Sequence, residues 1–282
     1  EGFHVLMPST SSPTLLRLAE AMRAELGKMR FHTWSPVGFE TILESTRLAF
    51  GRALLPQYDF AVADVVASFD SDFLGGDAPT LAWTRSWAQS RKITERAGRV
   101  SRLWCAEATH TLTGSNADHR FRMSSADVGL SVLALAAELL VGGDAMHKEL
   151  SKYTAKLFDD GKPSWVKSLA DDLRAAKGRC CVVVGPRQPA LIQALGHAIN
   201  AQLGAAGAGM AVSYCVAPAG IERGAGLGDL AELAAAMKSG KVETLVCLDT
   251  NPVYDAPADL GFAEAFAKLP HTIHCGLWAD ET

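Results

Sequence analysis

Two acidic, turn-forming stretches carry the side chains best placed for chemistry. Asp249-Thr250-Asn251-Pro252 closes the short apolar run Val242–Leu248, and Asp70-Ser71-Asp72 follows Ala61–Phe69. Asp and Asn tolerate left-handed backbone and bond their own main chain, and proline forbids further strand pairing. Each run therefore stops in a turn. In an open α/β sheet the carboxyl ends of the strands are where ligands sit. The Asp249–Pro252 loop reads equally well as an ordinary strand-to-helix turn. Glu107-Ala108-Thr109 ends a further strand-like run, with Thr113 in the polar loop beyond it.

Other groups point to packing before chemistry. His110 and His119 flank a polar loop with Asp118 between them, a spacing that suits a solvated loop better than a metal or proton relay. His271 and His274 are three apart on a strand-like run, which puts them on opposite faces. Ser9, Ser11 and Ser12 form no G-x-S-x-G elbow. Six cysteines, Cys105, Cys180, Cys181, Cys215, Cys247 and Cys275, contain no C-x-x-C pair. They read as buried small hydrophobes, with no clustering for zinc or iron–sulfur ligation. Trp83, Trp87 and Trp104 read as core or interface anchors.

The elements that must position these residues alternate along the chain. Strands are expected at His4–Met7, Met29–Trp34, Ala61–Phe69, Ser101–Ala106, Cys180–Val184, Met210–Val216, Val242–Leu248 and His271–Leu277. Helices are expected at Pro13–Leu26, with Pro13 in the first turn and Gly27 as stop, and at Glu40–Phe50, Pro79–Ser90, Ser125 to about Leu140, Ser164–Ala176, Pro189–Leu203, Gly226–Ser239 and Leu260–Leu269. Basic residues gather after the Pro79–Ser90 helix (Arg91, Lys92, Arg96, Arg99), where cations offset the helix dipole. A polar stretch with a Gly161-Lys162-Pro163 break interrupts the alternation. The pattern predicts an α/β protein of two Rossmann-like, doubly wound, mostly parallel-sheet units. The first spans 1–140, a connecting helical segment spans 141–178, and the second spans 179–282.

The 282 residues are 48% apolar and 21% charged with a net charge of −4, the balance of a globular protein without the basic face of a nucleic-acid binder. The longest apolar stretch, Val128–Val141, carries Ser131 and Glu138 and falls short of the roughly 20 residues a membrane span needs. The chain begins at Glu1 and ends directly after a strand-like run, so it is expected to be an excised piece of a larger protein.

With these residues in hand, the sequence resembles the molybdopterin oxidoreductases. The likeness rests on A-D-V-V-A-S-F-D-S-D-F-L from Ala63, on L-W-C-A-E-A-T-H-T-L-T-G-S-N-A-D-H-R-F-R-M-S-S-A-D-V from Leu103, and on Asp249-Thr250-Asn251-Pro252 with Asp280-Glu281-Thr282. Within that family it is similar to the large iron–sulfur subunit of alternative complex III, through P-S-T-S-S-P-T-L, A-L-L-P-Q-Y-D-F and G-P-R-Q-P-A-L-I-Q-A-L-G-H-A-I-N. The resemblance implies a periplasmic respiratory electron-transfer subunit, an oxidoreductase scaffold without its own catalytic centre. Its partners would be the other domains of the subunit and respiratory-complex subunits, with the membrane reached only through them. Iron–sulfur clusters would lie in the rest of the protein.

The resemblance also places a dinucleotide rim at Asp70, Asp72, Thr109, Thr113, Asp249, Thr250 and Asn251. Pyrophosphates want glycine-rich turns, helix N-termini or arginine. Here carboxylates stand instead, and a like charge at close range costs about 1 kcal/mol in water and several where buried. The rim is therefore expected to be vestigial and the segment to carry no cofactor. The alternative is a molybdopterin guanine dinucleotide held through Thr109, Thr113, Asn251 and main chain in an active oxidoreductase.

Overall fold

Val65–Phe69 is buried along all five residues, as a central parallel strand covered on both faces must be. The computed structural model describes residues 2–77, 80–94, 98–140, 165–217 and 226–282. The expected Gly161-Lys162-Pro163 break, most of the connecting segment, Pro79 and Arg96 lie outside the described residues. Contacts divide the chain into two compact units, 1–40 with 217–282, and 41–216. The expected division at 140 and 179 is not the one the contacts follow, because the first strand hydrogen-bonds with one near residue 244.

Numbered in chain order, the first unit holds β1 (Phe3–Met7), α1 (Pro13–Leu26), β2 (Arg30–Thr33), α8 (Leu227–Lys238), β9 (Thr244–Leu248), α9 (Pro252–Asp255), α10 (Phe262–Phe266) and β10 (His271–Cys275). All four strands are parallel, in the order β10-β9-β1-β2. The Ser12 hydroxyl caps α1 by accepting the Leu15 N–H, Pro13 fills its first turn, and Gly27 at φ 66° ends it. Leu6, Trp34, Leu230, Leu233, Leu245 and Phe262 form the core.

The second unit holds α2 (Glu40–Phe50, all but its first residue), β3 (Leu54–Tyr58), β4 (Val65–Phe69), α3 (Thr80–Ser90), β5 (Arg102–Glu107), α4 (Leu112–Ser115), β6 (His119–Arg122), α5 (Ser125–Leu139), α6 (Trp165–Ala175), β7 (Cys180–Val184), α7 (Ala190–Gln202) and β8 (Val212–Val216). Its parallel sheet runs β6-β5-β4-β7. Val128, Leu135, Leu169, Leu173 and Ile199 cover one face, and Phe60, Phe73, Trp83, Trp87 and Val212 cover the other. Burying each such side chain contributes about 1.5–3 kcal/mol.

Four expectations change. The Met210–Val216 strand, expected in a parallel sheet, pairs antiparallel with β3 in a separate two-stranded ribbon. Ala61–Phe69 is a strand only from Val65, since Phe60–Val62 winds into a 3₁₀ turn capped by Asp59. The polar loop after β5 contains the short helix α4, and the basic segment behind it pairs as β6. Leu260–Leu269 is broken by Gly261, which takes left-handed backbone at φ 55°.

Candidate functional site

Strand order selects the place to look. In the second unit the chain moves from β4 through β5 to β6 in one direction, then places β7 on the other side of β4. The crevice beyond the carboxyl ends of β4 and β7 is the topological switch point, where open α/β sheets take ligands.

That crevice is filled by the protein itself. Asp70 is 3% exposed and bends the chain out of β4 at φ 49°. One carboxylate oxygen accepts the Ala108 N–H at 3.0 Å; the other accepts the Gln188 amide at 2.7 Å and the Ser125 hydroxyl. Across the switch, the Gly185 N–H donates to the Phe69 carbonyl at 2.8 Å. A Cβ on Gly185 would lie 1.9 Å from the Asp70 carbonyl oxygen. The two loops touch backbone to backbone.

The neighbouring carboxylates are also spent inside the loops. Asp72 accepts the Thr113 N–H and hydroxyl at 3.1 and 3.0 Å and the Gly76 N–H at 3.0 Å. Glu107, 2% exposed, accepts the Thr111 hydroxyl at 2.6 Å and the Arg120 Nε at 2.5 Å. Asp77 accepts the Ser71 hydroxyl at 2.6 Å; burial raises its pKa, with Ser71 and Arg187 opposing. Thr109 is exposed on the surface of the loop.

Asp249, Thr250 and Asn251 fall in the first unit, at the carboxyl end of β9. Asp249, at φ 50°, donates its N–H to the Cys275 carbonyl. Asn251 takes the Thr282 hydroxyl at 2.7 Å and gives its amide to Glu281 at 2.7 Å, which holds that carboxyl below the usual range. Of the expected rim, Asp70, Asp72, Thr109 and Thr113 belong to the second unit and Asp249, Thr250 and Asn251 to the first.

Sequence reading missed the partners that make these clusters self-contained. Gln188 lies 118 residues from Asp70 and carries no local signal. It also missed two polar chains. In the first unit His4 Nδ1 lies 2.9 Å from His32 Nε2, and His32 Nδ1 lies 2.7 Å from Asp229, which also accepts the Thr33 N–H. Burial opposes ionisation of Asp229, but His32 and Thr33 hold its pKa below the usual value. This chain ties β1, β2 and α8 together.

In the second unit Ser45, His197 and Tyr214 resemble a nucleophile with its base. The Ser45 hydroxyl, however, donates to the Ile42 carbonyl at 2.7 Å. His197 Nε2 must then donate to Ser45 at 3.1 Å, while Nδ1 accepts from Tyr214 at 3.0 Å. Burial lowers the His197 pKa to about 4. The serine proton is committed elsewhere and the ring presents no acceptor to it, so the trio packs rather than attacks.

His110 meets Ser115, and His119 stacks on Trp104 at 4.0 Å between ring centres. Among the described residues no group of three or more His, Cys, Asp or Glu could hold a metal ion. Cys105, Cys180, Cys181 and Cys247 are buried, and burial pushes the Cys180 thiol up to about 12. Cys215 and Cys275 are exposed, against expectation, because β8 lies in the ribbon and β10 at a sheet edge.

The architecture defines an α/β protein of two parallel-sheet units. No protein-family model matches the sequence, and no curated protein does. Among solved structures the chain is similar to one chain of the formyltransferase/hydrolase complex (FhcABCD) from Methylorubrum extorquens in complex with methylofuran, at 16% identity and a TM-score of 0.54. The likeness covers 99% of this chain and 76% of that one. At that identity it is a likeness of fold.

This finding corrects the sequence-based family. The neighbour is a formyltransferase/hydrolase, not a molybdopterin oxidoreductase, and the reading as a respiratory electron-transfer subunit with respiratory partners falls with it. The motifs misled because a strand, an acidic turn and a helix recur in any doubly wound sheet. Among the described residues no helix is long and apolar enough to cross a membrane.

Proposed function

We propose that the chain is an α/β subunit of a multi-chain assembly that transfers or hydrolyses formyl groups, and that it contributes structure and partner contacts rather than the reacting centre. The observation that carries this reading is the likeness, over nearly the whole chain, to a chain of a formyltransferase/hydrolase complex. The inward wiring of Asp70, Asp72 and Glu107 supports the second part, since a carboxylate already accepting two or three internal hydrogen bonds has little capacity left for substrate.

In the same reading neither rim takes an anionic dinucleotide. The crevice between β4 and β7 is closed at Gly185 and faced by a carboxylate, the opposite of a phosphate cradle. Calorimetric titration with GDP and NAD should give no saturable heat. Micromolar binding that disappears in D70N would refute this part alone.

The decisive experiment isolates the tagged protein from its native host. The expected result is a stoichiometric assembly with unlike chains that releases or transfers formyl groups, while the chain expressed alone does neither. Turnover by the lone chain at the assembly's rate, or an assembly devoid of formyl chemistry, would overturn the proposal.

A further inference from the structure

The opposite end of the second unit's sheet carries a different chemistry. Where β4, β5 and β7 begin, a hollow of about 370 Å³ is lined by Arg99, Arg102 and Arg179, by Asp64 and Asp172, and by an apolar floor that includes Val65 and Ala176. The volume falls within the range of small-molecule sites, roughly 300–1,000 Å³. Two of the arginines stand at the entry to a strand, Arg102 opening β5 and Arg179 preceding β7, so their backbone positions are fixed by the sheet.

Among the described lining residues three guanidinium groups face two carboxylates. Arg179 Nε lies 2.8 Å and Arg99 Nη1 3.7 Å from the same Asp64 oxygen. Arg102 Nη1 lies 2.8 Å from one Asp172 oxygen, which also accepts the Trp104 indole N–H at 3.0 Å. The arginine side chains are each more than half exposed. Ion pairs this exposed contribute little, and a guanidinium has five N–H donors in a fork that suits carboxylate and phosphate. The end of α6 beside the hollow adds a partial negative charge that opposes any anion there, so a bound ligand must engage several guanidinium forks together to outweigh it.

We propose that this hollow binds a compact polyanion, a small molecule bearing two or more carboxylate or phosphate groups. The proposal is independent of the reading of the rims. It is tested on the full chain with pyrophosphate and citrate as probes, by calorimetry at low ionic strength against a matched sodium chloride control. Saturable binding of at least one probe is expected, with the choice between them distinguishing phosphate from carboxylate chemistry.

R99Q should weaken binding roughly tenfold, with a larger loss in R99Q/R179Q. R30Q, which removes an exposed arginine of the first unit paired with Glu232, should bind like the unaltered chain. Should the double variant fail to fold by circular dichroism, R99Q decides alone, since the ion pair of Arg99 with Asp64 is long and the arginine exposed. Absence of saturable binding by both probes, unchanged affinity in folded R99Q, or an equal loss in R30Q would each overturn the proposal.

Discussion

Asp70 stands where a bound anion would stand in a nucleotide-binding protein with this sheet topology, and it answers three donors from three segments of the chain. In D70A the Ser125 hydroxyl and the Ala108 N–H lose their acceptor, and the Gln188 amide keeps only its bonds to Ser125. The expected loss is about 3–5 kcal/mol, read as a lower urea midpoint at unchanged m. D70N should lose less, because Asn keeps one acceptor oxygen and tolerates left-handed backbone. His197 sets a second test at this scale. Its pKa is about 4 in the folded chain against 6.5 unperturbed, so the unfolded state binds the proton more tightly between those values. Stability is fully present above pH 6.5 and declines as pH falls towards 4. Between pH 7 and pH 5 this group should cost about 2 kcal/mol, a loss that H197Q should abolish in paired urea titrations.

At the scale of elements, the closure of β4 against β7 turns on a single missing side chain. G185A would press a methyl group into the Asp70 carbonyl, and a cost of about 3 kcal/mol is expected. Gly204, at φ 64° after α7, has no atom near its added Cβ, so G204A should cost only about 1 kcal/mol of backbone strain. Thermal unfolding of the two variants side by side separates a packing penalty from a conformational one. The same contrast explains what could be read from sequence. Cys180–Val184 and Glu40–Phe50 announced themselves by composition and period and match to the residue. β3 did not, because Pro56 interrupts it; the ribbon with β8 tolerates a proline that a central strand would reject. The acidity of Asp70 and Glu107 was visible, but the Gln188 and Arg120 that consume it were not. Such pairings are made by tertiary packing and leave no periodic trace.

At the scale of the molecule, the two units differ in how the chain supplies them. Residues 41–216 are contiguous and carry their own two-faced core. Expressed alone they should unfold cooperatively in urea. Segments 1–40 and 217–282 expressed separately should show little structure by circular dichroism and gain it on mixing, because each supplies two strands of the sheet and the β1–β9 pairing joins the halves. Uncooperative melting of 41–216 would show that its core does not suffice.

The pairing of β1 with β9 has a consequence for the protein's birth on the ribosome. About 240 residues must be translated between the two strands, which at roughly 5–20 residues per second leaves the first one waiting on the order of ten to fifty seconds. During that interval Val5, Leu6 and Met7, buried in the finished fold, have no β9 to cover them. A chaperone that shields nascent apolar segments would therefore raise the yield most when elongation is slow.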